Sequence, residues 1–553
     1  MDIEIISDDS KKVKYDNYVS LYDLTKHIYN DKYNKYLAVK INNKIQELSS
    51  HCLKEGDKVE FLDIKDNDGH KIYVRTLCLI YIKACRDILK NIDISIEHSL
   101  NKGLYTEILK NNKHYILNEE EIKKIINRMQ EIVDANLPIN KIMMNKNDAI
   151  DIFTKQNLHD KADLLRQMNK DVVRVYEVDG YYDSFYGYLA PNTNCIDKFD
   201  LRLFNPGIIL NFPTKESNYE LPEYIEHKKL SKVFSEAEKW GKIMDVGNVV
   251  ALNKKIDENT IDDMIRINEA LHEKKIAYIA DEIAHDKDIK IVLIAGPSSS
   301  GKTTFAQRLS IQLRVNGKKT YALSLDDYFL DRELTPKDEN GKHDFESINA
   351  LDLELFNSQL VSLMKCQTVN IPVYNFVKGE REYTRTPVTL TEEHIIIIEG
   401  IHGLNEKLTQ SIPHKNKFKI YISALTQLNI DNHNRISTTD VRLIRRIVRD
   451  NAYRGNKIHR TLELWDDVVI GNEKYIFPFQ ENADAMFNSA LVYELGVLKK
   501  YAIPLLEEIN ENDKFYSEKV RLLNFLSYFH TIEDEYAIPN TSILREFIGG
   551  SCF

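Results

Sequence analysis

One segment, Gly296–Thr303, constrains the fold more than any other part of this sequence, because it fits the pattern GxxxxGK[ST]. It follows the apolar run IVLIA and precedes the helical pattern TTFAQRLSIQLR. A phosphate-binding loop needs a strand before it and a helix after it. The alternative, a turn rich in glycine and serine, requires neither flanking element. We therefore predict a P-loop nucleotide-binding domain in the second half of the chain.

The sequence after about residue 287 is typical of a parallel sheet. Four β-rich runs follow one another, most of them separated by helical segments: IKIVLIAG, KTYALSL, HIIIIEG and FKIYISA. Apolar strands without alternation are those buried on both faces. Strands that alternate with helices predict a doubly wound α/β fold.

The predicted loop supplies the groups that bind MgATP. Backbone N–H groups curl around the phosphates, and the following helix adds its positive N-terminal end. Lys302 can reach the β- and γ-phosphates, and the Thr303 hydroxyl can ligate Mg²⁺. The residues predicted to bind ATP here are Gly296, Pro297, Ser298, Ser299, Ser300, Gly301, Lys302, Thr303 and Thr304.

Carboxylates follow two of the predicted strands. Glu399 ends the run IIIIE and is predicted to hold Mg²⁺, although a surface Glu at the start of a loop is the alternative. Asp326 and Asp327 end the strand YALSL. Ligands bind beyond the carboxyl ends of such strands, so one of these aspartates can accept a proton from an attacking hydroxyl. A helix cap is the alternative for this pair.

Two further segments have either a functional or a structural interpretation. Residues Arg442, Arg445, Arg446 and Arg449 are three or four positions apart and share one helical face. Such a face is usually solvated, but beside a phosphate loop it can neutralise transferred charge. The run Val373–Phe376 can form a wall against a planar ligand or belong to the core.

Five motifs in order resemble the uridine kinase family over about residues 287–505: LSLDDYF, HDFESINALD, PVYNF, IEG and RRIVRDNAYRGN. The resemblance implies that Asp326 is the catalytic aspartate, with Lys302 and Arg449 also acting in catalysis. It implies phosphate contacts for Arg449 and Arg454. The implied substrate contacts are Phe345, Glu346, Tyr374, Phe376, Gly379, Arg446 and Asn456.

Two of these positions depart from the family pattern. Gly379 stands where the family has a base-reading histidine, and Asn456 stands where it has an arginine. Glycine is expected to open space, and the amide of Asn456 can both donate and accept hydrogen bonds. The resemblance therefore implies relaxed specificity or a larger base. Alternatively, Lys378 or Glu380 takes over the lost contact, and uridine remains preferred.

The first half of the chain resembles threonyl-tRNA synthetases. Residues 1–66 resemble the TGS domain, a β-grasp unit, and residues 67–213 resemble the α+β editing-type second domain. A helical connector is predicted at 214–285 and the P-loop kinase domain at 286–553. The zinc-ligand positions of the second domain fall on Thr76, Ile80, Phe185 and Leu189. Because zinc needs several N, S or O donors, no zinc is expected.

Composition sets the remaining expectations. The formal net charge of −10 predicts no general attraction to nucleic acid or anionic lipid, so tRNA binding is possible but not expected. The first residues lack the pattern of a secretory signal, and the run LCLIYI is too short to span a bilayer. Scattered cysteines without a CxxC pair favour the cytoplasm. The family resemblance implies a homo-oligomer.

Three functions compete at this point. The first is an ATP-dependent nucleoside kinase that forms a 5′-monophosphate. The second is a kinase of another small hydroxyl substrate, such as a phosphoribulokinase-like sugar kinase. The third is an RNA-linked regulatory P-loop ATPase. A basic groove across both halves would favour the third, whereas the net charge argues against it.

Overall fold

The computed structural model of the 553-residue chain describes residues 2–5, 12–14, 20–49, 53–111, 113–337, 341, 343–375, 378–426 and 428–553. Several sheets follow one another along the chain, and helices pack on them. Of the residues with a predicted role in the site, Phe376 lies outside the described residues.

The first sheet is small and mixed. Its elements are β1 (Asp2–Ile5), β2 (Lys12–Lys14), α1 (Leu21–Tyr29), β3 (Ala38–Ile41), β4 (Lys44–Gln46) and β5 (Lys58–Leu62). The strand order is β2-β1-β5-β3-β4, with β1 parallel to β5 and the other pairs antiparallel. Helix α1 buries Leu21 and Leu24 against Val39 and Val59. Its first turn is capped by Ser20, whose hydroxyl accepts the Asp23 N–H.

Two antiparallel sheets and several helices follow. Their elements are α2 (Asn67–Ile88), β6 (Asp93–Leu100), β7 (Gly103–Lys110), β8 (Lys113–His114), α3 (Glu119–Asp134), β9 (Asn140–Asn145), α4 (Lys146–Lys155), α5 (His159–Gln167), β10 (Val172–Val178), β11 (Tyr181–Asp183), β12 (Asp200–Phe204) and β13 (Gly207–Asn211). One sheet has the order β12-β13-β7-β6 with β8 beside β7, and the other has the order β11-β10-β9. Helix α2 is buried continuously from Thr76 to Cys85, where neighbours cover it on every side.

The four positions aligned with synthetase zinc ligands are packed inside this part of the chain. Ile80, Phe185 and Leu189 belong to one hydrophobic core. The Thr76 hydroxyl donates to the Ile72 carbonyl at 2.8 Å and accepts the Ala190 N–H at 2.9 Å. In the described ranges, no group of three or more His, Cys, Asp or Glu residues is arranged to hold a metal ion.

We expect the purified protein to contain no stoichiometric zinc, because the four positions offer no nitrogen or sulfur donor and their one oxygen, the Thr76 hydroxyl, is already hydrogen-bonded. Elemental analysis by mass spectrometry, before and after incubation with zinc followed by dialysis, measures this directly. One zinc per chain that survives dialysis would contradict the prediction.

Three helices connect the first half to the second: α6 (Lys228–Met244), α7 (Val249–Asp257) and α8 (Ile261–His285). Helix α8 buries Ile276, Ile279 and Ile283 in the largest core of the molecule. It also lies along the helix that follows the phosphate loop, where Glu273 accepts two hydrogen bonds from the Arg308 guanidinium at 3.1 and 2.6 Å. The connector is therefore packed into the second half of the chain rather than extended between units.

The second half is built on a parallel sheet. Its elements are β14 (Ile291–Ala295), α9 (Lys302–Val315), β15 (Lys319–Ser324), α10 (Leu353–Met364), β16 (Val373–Asn375), β17 (Glu380–Glu382), β18 (His394–Glu399), β19 (Lys417–Ser423), β20 (Asn429–Asp431), β21 (Asn434–Arg435), α11 (Thr438–Tyr453), α12 (Ile458–Glu463), α13 (Trp465–Tyr475), β22 (Ala485–Asn488), α14 (Glu494–Glu507), α15 (Tyr516–Leu526) and α16 (Arg545–Ile548). The order β15-β18-β14-β19-β22 is parallel throughout.

Successive residues of the central strand belong to different cores. Ile291 and Leu293 of β14 pack in one cluster, and Val292 and Ile294 pack in another. Both faces of the sheet are therefore covered, which explains the unbroken apolar runs and confirms the predicted parallel sheet. The fifth strand, β22, is a finding that the sequence pattern did not indicate.

A buried ionic cluster, formed by Lys161, Asp183, Asp431 and His433, joins the two halves of the chain. The Lys161 ammonium lies 2.9 Å from both aspartates, and His433 Nδ1 lies 2.7 Å from Asp183. None of the four side chains is more than 2% exposed. Burial alone would raise the pKa of Asp183, but the neighbouring His433 and Lys161 hold it well below its usual range.

Helix length and polarity bear on membrane insertion. Among the described helices, none combines enough length with enough apolar character to cross a bilayer.

Candidate active site

The predicted phosphate loop connects β14 to α9 and requires its glycines. A Cβ at Gly296 would lie 2.0 Å from the Ile422 carbonyl oxygen. Gly301 has a φ of +82°, which favours glycine, and a Cβ there would lie 2.5 Å from Cγ2 of Ile543. The loop is therefore shaped by close backbone approaches that a side chain would prevent.

Polar groups of this loop are arranged to receive an anion. The Lys302 ammonium folds back and donates to the carbonyls of Gly296 at 3.0 Å and Pro297 at 3.2 Å. Burial lowers the pKa of Lys302, while the nearby Glu399 acts in the opposite direction. In the part of the chain that the structure describes, the hydroxyls of Ser299 and Ser300 are buried without a hydrogen-bond partner. Phosphate oxygens would satisfy these hydroxyls, so the loop fits a nucleotide.

Thr303 and Glu399 form an oxygen-rich pair beside Lys302. The Thr303 hydroxyl donates to both carboxylate oxygens of Glu399, at 3.0 and 3.1 Å. Burial raises the pKa of Glu399, and Lys302 and the Thr303 hydroxyl oppose that shift. Hydroxyl and carboxylate oxygens are the ligands that Mg²⁺ prefers, so these two residues fit a magnesium ion bound with a nucleotide.

The two adjacent aspartates after β15 have different surroundings. Asp327 is buried, and its carboxylate pairs with the Arg385 guanidinium at 2.7 Å. Asp326 is open to solvent but lies among many protein atoms, and this desolvation raises the pKa of its carboxyl against the attraction of Lys302 and Arg454. Asp326 lies near the cations Lys302 and Arg454, whereas Asp327 is already paired with Arg385, so Asp326 suits the role of base better.

The predicted sugar contacts lie in the segment after β15. Glu346 packs against α13, where a Cβ at Gly471 would lie 3.0 Å from its Cγ. Burial raises the pKa of Glu346, and the Arg446 and Lys302 cations oppose this. Phe345 is 42% exposed. Glu346 thus shares the Lys302 cation with Asp326 and also lies near Arg446, whereas Phe345 faces solvent.

Tyr374 lies on the β16–β17 hairpin. It is buried, and its ring packs at a tilt against Phe329 with 5.6 Å between centroids. This contact gives Tyr374 the packing role that was one of the two predicted interpretations of the aromatic run. A contact between Tyr374 and a ligand stays a prediction.

Gly379 occupies the turn of this hairpin, and the expectation that it opens space is wrong. A Cβ at position 379 would lie 2.9 Å from Nε and 3.0 Å from Cβ of Arg332. The Arg332 N–H also donates to the Gly379 carbonyl at 2.8 Å. The turn needs a φ of +78°, which explains the glycine, and Arg332 fills the adjacent room.

The arginines of α11 are buried beneath the phosphate loop, not solvated. Arg442 and Arg445 are 1% and 0% exposed. Arg442 donates to the Ser298 carbonyl at 2.9 Å, and Arg445 donates to the Ser299 carbonyl at 3.3 Å. Arg446 donates to the Ser298 hydroxyl at 2.9 Å. One face of α11 therefore supports the loop through its carbonyl and hydroxyl oxygens.

Asp450 organises the remaining arginines. It is fully buried and lies 3.2 Å from Arg446, 2.7 Å from Arg449 and 3.8 Å from Arg454. A buried carboxylate needs such cationic partners. No sequence motif predicted a role for Asp450, although it lies one or four residues from each of these arginines, a spacing that could have indicated the pairing.

Arg454 and Asn456 lie at the end of α11. The Arg454 side chain is 59% exposed, and Asn456 is half-buried in the turn after Gly455. The Asn456 N–H donates to the Asp450 carbonyl at 3.1 Å. Arg454 can therefore reach a ligand from solvent, while the backbone of Asn456 is fixed to the helix.

A family model and individual relatives both show that this chain is similar to uridine kinases. The sequence model described as the Phosphoribulokinase / Uridine kinase family matches residues 291–494. A uridine kinase of Aliivibrio salmonicida is 30% identical over 199 residues, which are 35% of this chain and 83% of that protein.

Two yeast proteins match over a smaller share of their length. A uridine kinase of Saccharomyces cerevisiae is 30% identical over 204 residues, 36% of each chain. A uridine kinase of Schizosaccharomyces pombe is 33% identical over 268 residues, 47% of this chain and 49% of that protein. The chain thus spans about a third to a half of the length of these two relatives.

Proposed function

The chain belongs to the phosphoribulokinase/uridine kinase family, and on that premise we propose that it transfers the γ-phosphoryl group of ATP to the 5′-hydroxyl of a nucleoside. One observation carries the proposal. Lys302, the Thr303–Glu399 pair and Asp326 meet at the carboxyl edge of the sheet, where open α/β folds bind ligands.

The proposed reaction needs positioning, charge neutralisation and a base, and the chain offers a residue for each. Mg²⁺ held by Thr303 and Glu399 would neutralise phosphate charge. Lys302 leaves the loop carbonyls and binds the β- and γ-phosphates. Asp326 accepts the proton of the 5′-hydroxyl, and Arg449 and Arg454 stabilise the charge of the transferred group.

The sugar side of the proposed site rests on Glu346 and Arg446. A carboxylate accepts hydrogen bonds from a pair of ribose hydroxyls, and the adjacent guanidinium favours its ionised form against the effect of burial. The proximity of Arg446 to Glu346 supports this assignment. Tyr374 and Phe376 are proposed to flank the base, and Asn456 is proposed to read its edge.

We propose the division of the chain at residues 66, 213 and 285 as its domain organisation. The mixed sheet with β1 parallel to β5, packed on α1, supports a β-grasp unit of TGS type at the start. The two antiparallel sheets that follow support an α+β domain. A homo-oligomer and a cytoplasmic location stay predictions.

Nucleoside specificity tests the proposed function. We expect ATP-dependent 5′-phosphorylation of a nucleoside, with kcat/KM for uridine, cytidine, inosine and guanosine spread over less than about a hundredfold, because loss of the family's base-reading donors weakens discrimination. Since Arg332 fills the room beside Gly379, acceptance of a purine now depends mainly on Asn456. Product analysis by chromatography and mass spectrometry gives both the rate and the position of the phosphate.

The Lys302→Ala variant provides the background for each nucleoside. A preference of a hundredfold or more for uridine and cytidine over both purines would contradict the altered-base expectation and leave a uridine kinase. Phosphorylation of a sugar phosphate but of no nucleoside would contradict the proposed function itself. ATP hydrolysis that requires tRNA would instead favour the RNA-linked ATPase.

A further inference from the structure

The C-terminal segment Ser542–Ile548 lies against the phosphate loop. This segment follows the region that the family model matches, which ends at residue 494. Ile543 contacts the loop at Gly301, where an added Cβ would meet its side chain at 2.5 Å. The segment therefore reaches the predicted ATP site from outside the recognised kinase sequence.

Glu546 is the residue of this segment that enters the site. Its Oε2 accepts a hydrogen bond from the Thr304 N–H at 3.3 Å and another from the Thr304 hydroxyl at 2.8 Å. Thr304 follows the GKT of the loop at the start of α9. A carboxylate thus holds both donors of a residue predicted to bind ATP.

The segment is a fixed part of the molecule rather than a loose tail. Ile543, Leu544 and Phe547 are fully buried in the largest core. The Arg545 guanidinium pairs with Glu535 at 2.9 Å and also donates to the carbonyl of Ile538 at 2.9 Å. The backbone at Glu546 is therefore anchored beside the loop. Rotation of the Glu546 side chain is enough to break its hydrogen bonds to Thr304.

Glu546 and a nucleotide phosphate need the same donors. In phosphate loops the first amides of the helix contribute to the cradle of the α- and β-phosphates. A carboxylate and a phosphate are both anions, so they cannot share one N–H and one hydroxyl without strong repulsion. Glu546 also acts electrostatically on Lys302 and Arg454, the cations that would face the phosphates.

We propose that Glu546 is a built-in competitor of the nucleotide α-phosphate and thereby sets the affinity of the site for ATP and ADP. This inference rests on the proposed function, since it assumes that the loop binds a nucleotide. Nucleotide binding displaces the carboxylate from Thr304, and the phosphate takes over both hydrogen bonds. The charge of Glu546 then remains nearby and weakens binding further.

Replacement of Glu546 by glutamine tests the proposal, because the amide keeps the shape and removes the charge. We expect Glu546→Gln to bind MgATP and MgADP about tenfold more tightly than the unaltered protein, because the substitution removes a negative charge that lies a few ångströms from the proposed position of the α-phosphate. Adenosine, which has no phosphate, should bind equally to both. Calorimetry on the full chain without nucleoside measures these affinities, and a thermal melt checks the fold.

Glu508→Gln is the matched control, because it removes one negative charge from an exposed position at the end of α14. It should leave nucleotide affinity unchanged. Equal or weaker ADP binding by a folded Glu546→Gln variant would overturn the inference while leaving the proposed function intact. Failure of the unaltered protein to bind either nucleotide would overturn both.

Discussion

Replacing Lys302 with alanine is expected to reduce phosphoryl transfer by about a hundredfold or more, because a positioned cation that stabilises transition-state charge is typically worth at least that much. Within the described residues, the hydrogen bonds of the Lys302 ammonium go to the loop carbonyls of Gly296 and Pro297. Its removal therefore leaves the sheet and its two cores unchanged. Steady-state rates with a saturating nucleoside measure the loss.

Lys287→Ala is a suitable control for this prediction, since Lys287 is an exposed lysine just before β14. It should retain the full rate, and both variants should melt near the temperature of the unaltered protein. If Lys302→Ala kept more than about a tenth of the turnover, Gly296–Thr303 would not be the catalytic loop.

Replacing Asp326 with asparagine is expected to lower kcat by about a hundredfold or more, with little change in ATP affinity, because the amide keeps the shape but cannot accept the proton. Asp327→Asn is the informative comparison. Asp327 already pairs with Arg385, so we expect its loss to reduce kcat much less. The reverse order of effects would assign the base to Asp327.

The pH dependence of the same reaction provides a second measurement. A base works when it is deprotonated, so kcat/KM should fall as the pH decreases through the pKa of Asp326. Desolvation raises that pKa, although Lys302 and Arg454 oppose it, so the acidic limb should lie above that of an ordinary aspartate. In Asp326→Asn this limb should disappear, whereas a limb that persisted would belong to another group.

Local sequence patterns predicted that the phosphate loop, Glu399 and Asp326 belong to one site, because each lies in a short motif that can be recognised from adjacent residues in the sequence. The loop, the strand before it and the helix after it are contiguous; Glu399 ends the apolar strand β18, and Asp326 follows β15 by two residues. Parallel strands bring their carboxyl ends to one edge, so three separate motifs meet without any knowledge of long-range contacts.

The features that the sequence did not reveal depend on contacts between distant segments. Arg332 fills the room beside Gly379 because a loop folds over the hairpin, which no local pattern encodes. Glu546 reaches Thr304 across 242 positions. The burial of Arg442 and Arg445 under the loop depends on where α11 packs, whereas helical spacing showed only that they share a face. Strand β22 is only four residues long, too short for its pattern to be distinctive.

The ionic cluster of Lys161, Asp183, Asp431 and His433 has a consequence for how this protein can be inherited. Asp431 and His433 lie just before the helix that carries the phosphate-site arginines, and their partners come from the first half. A mutation in the first half that removed Lys161 would leave Asp431 of the second half buried without its cation, a defect that costs about 3–5 kcal/mol. Single changes in the first half can therefore destabilise the second half, so we expect the two halves to be inherited together.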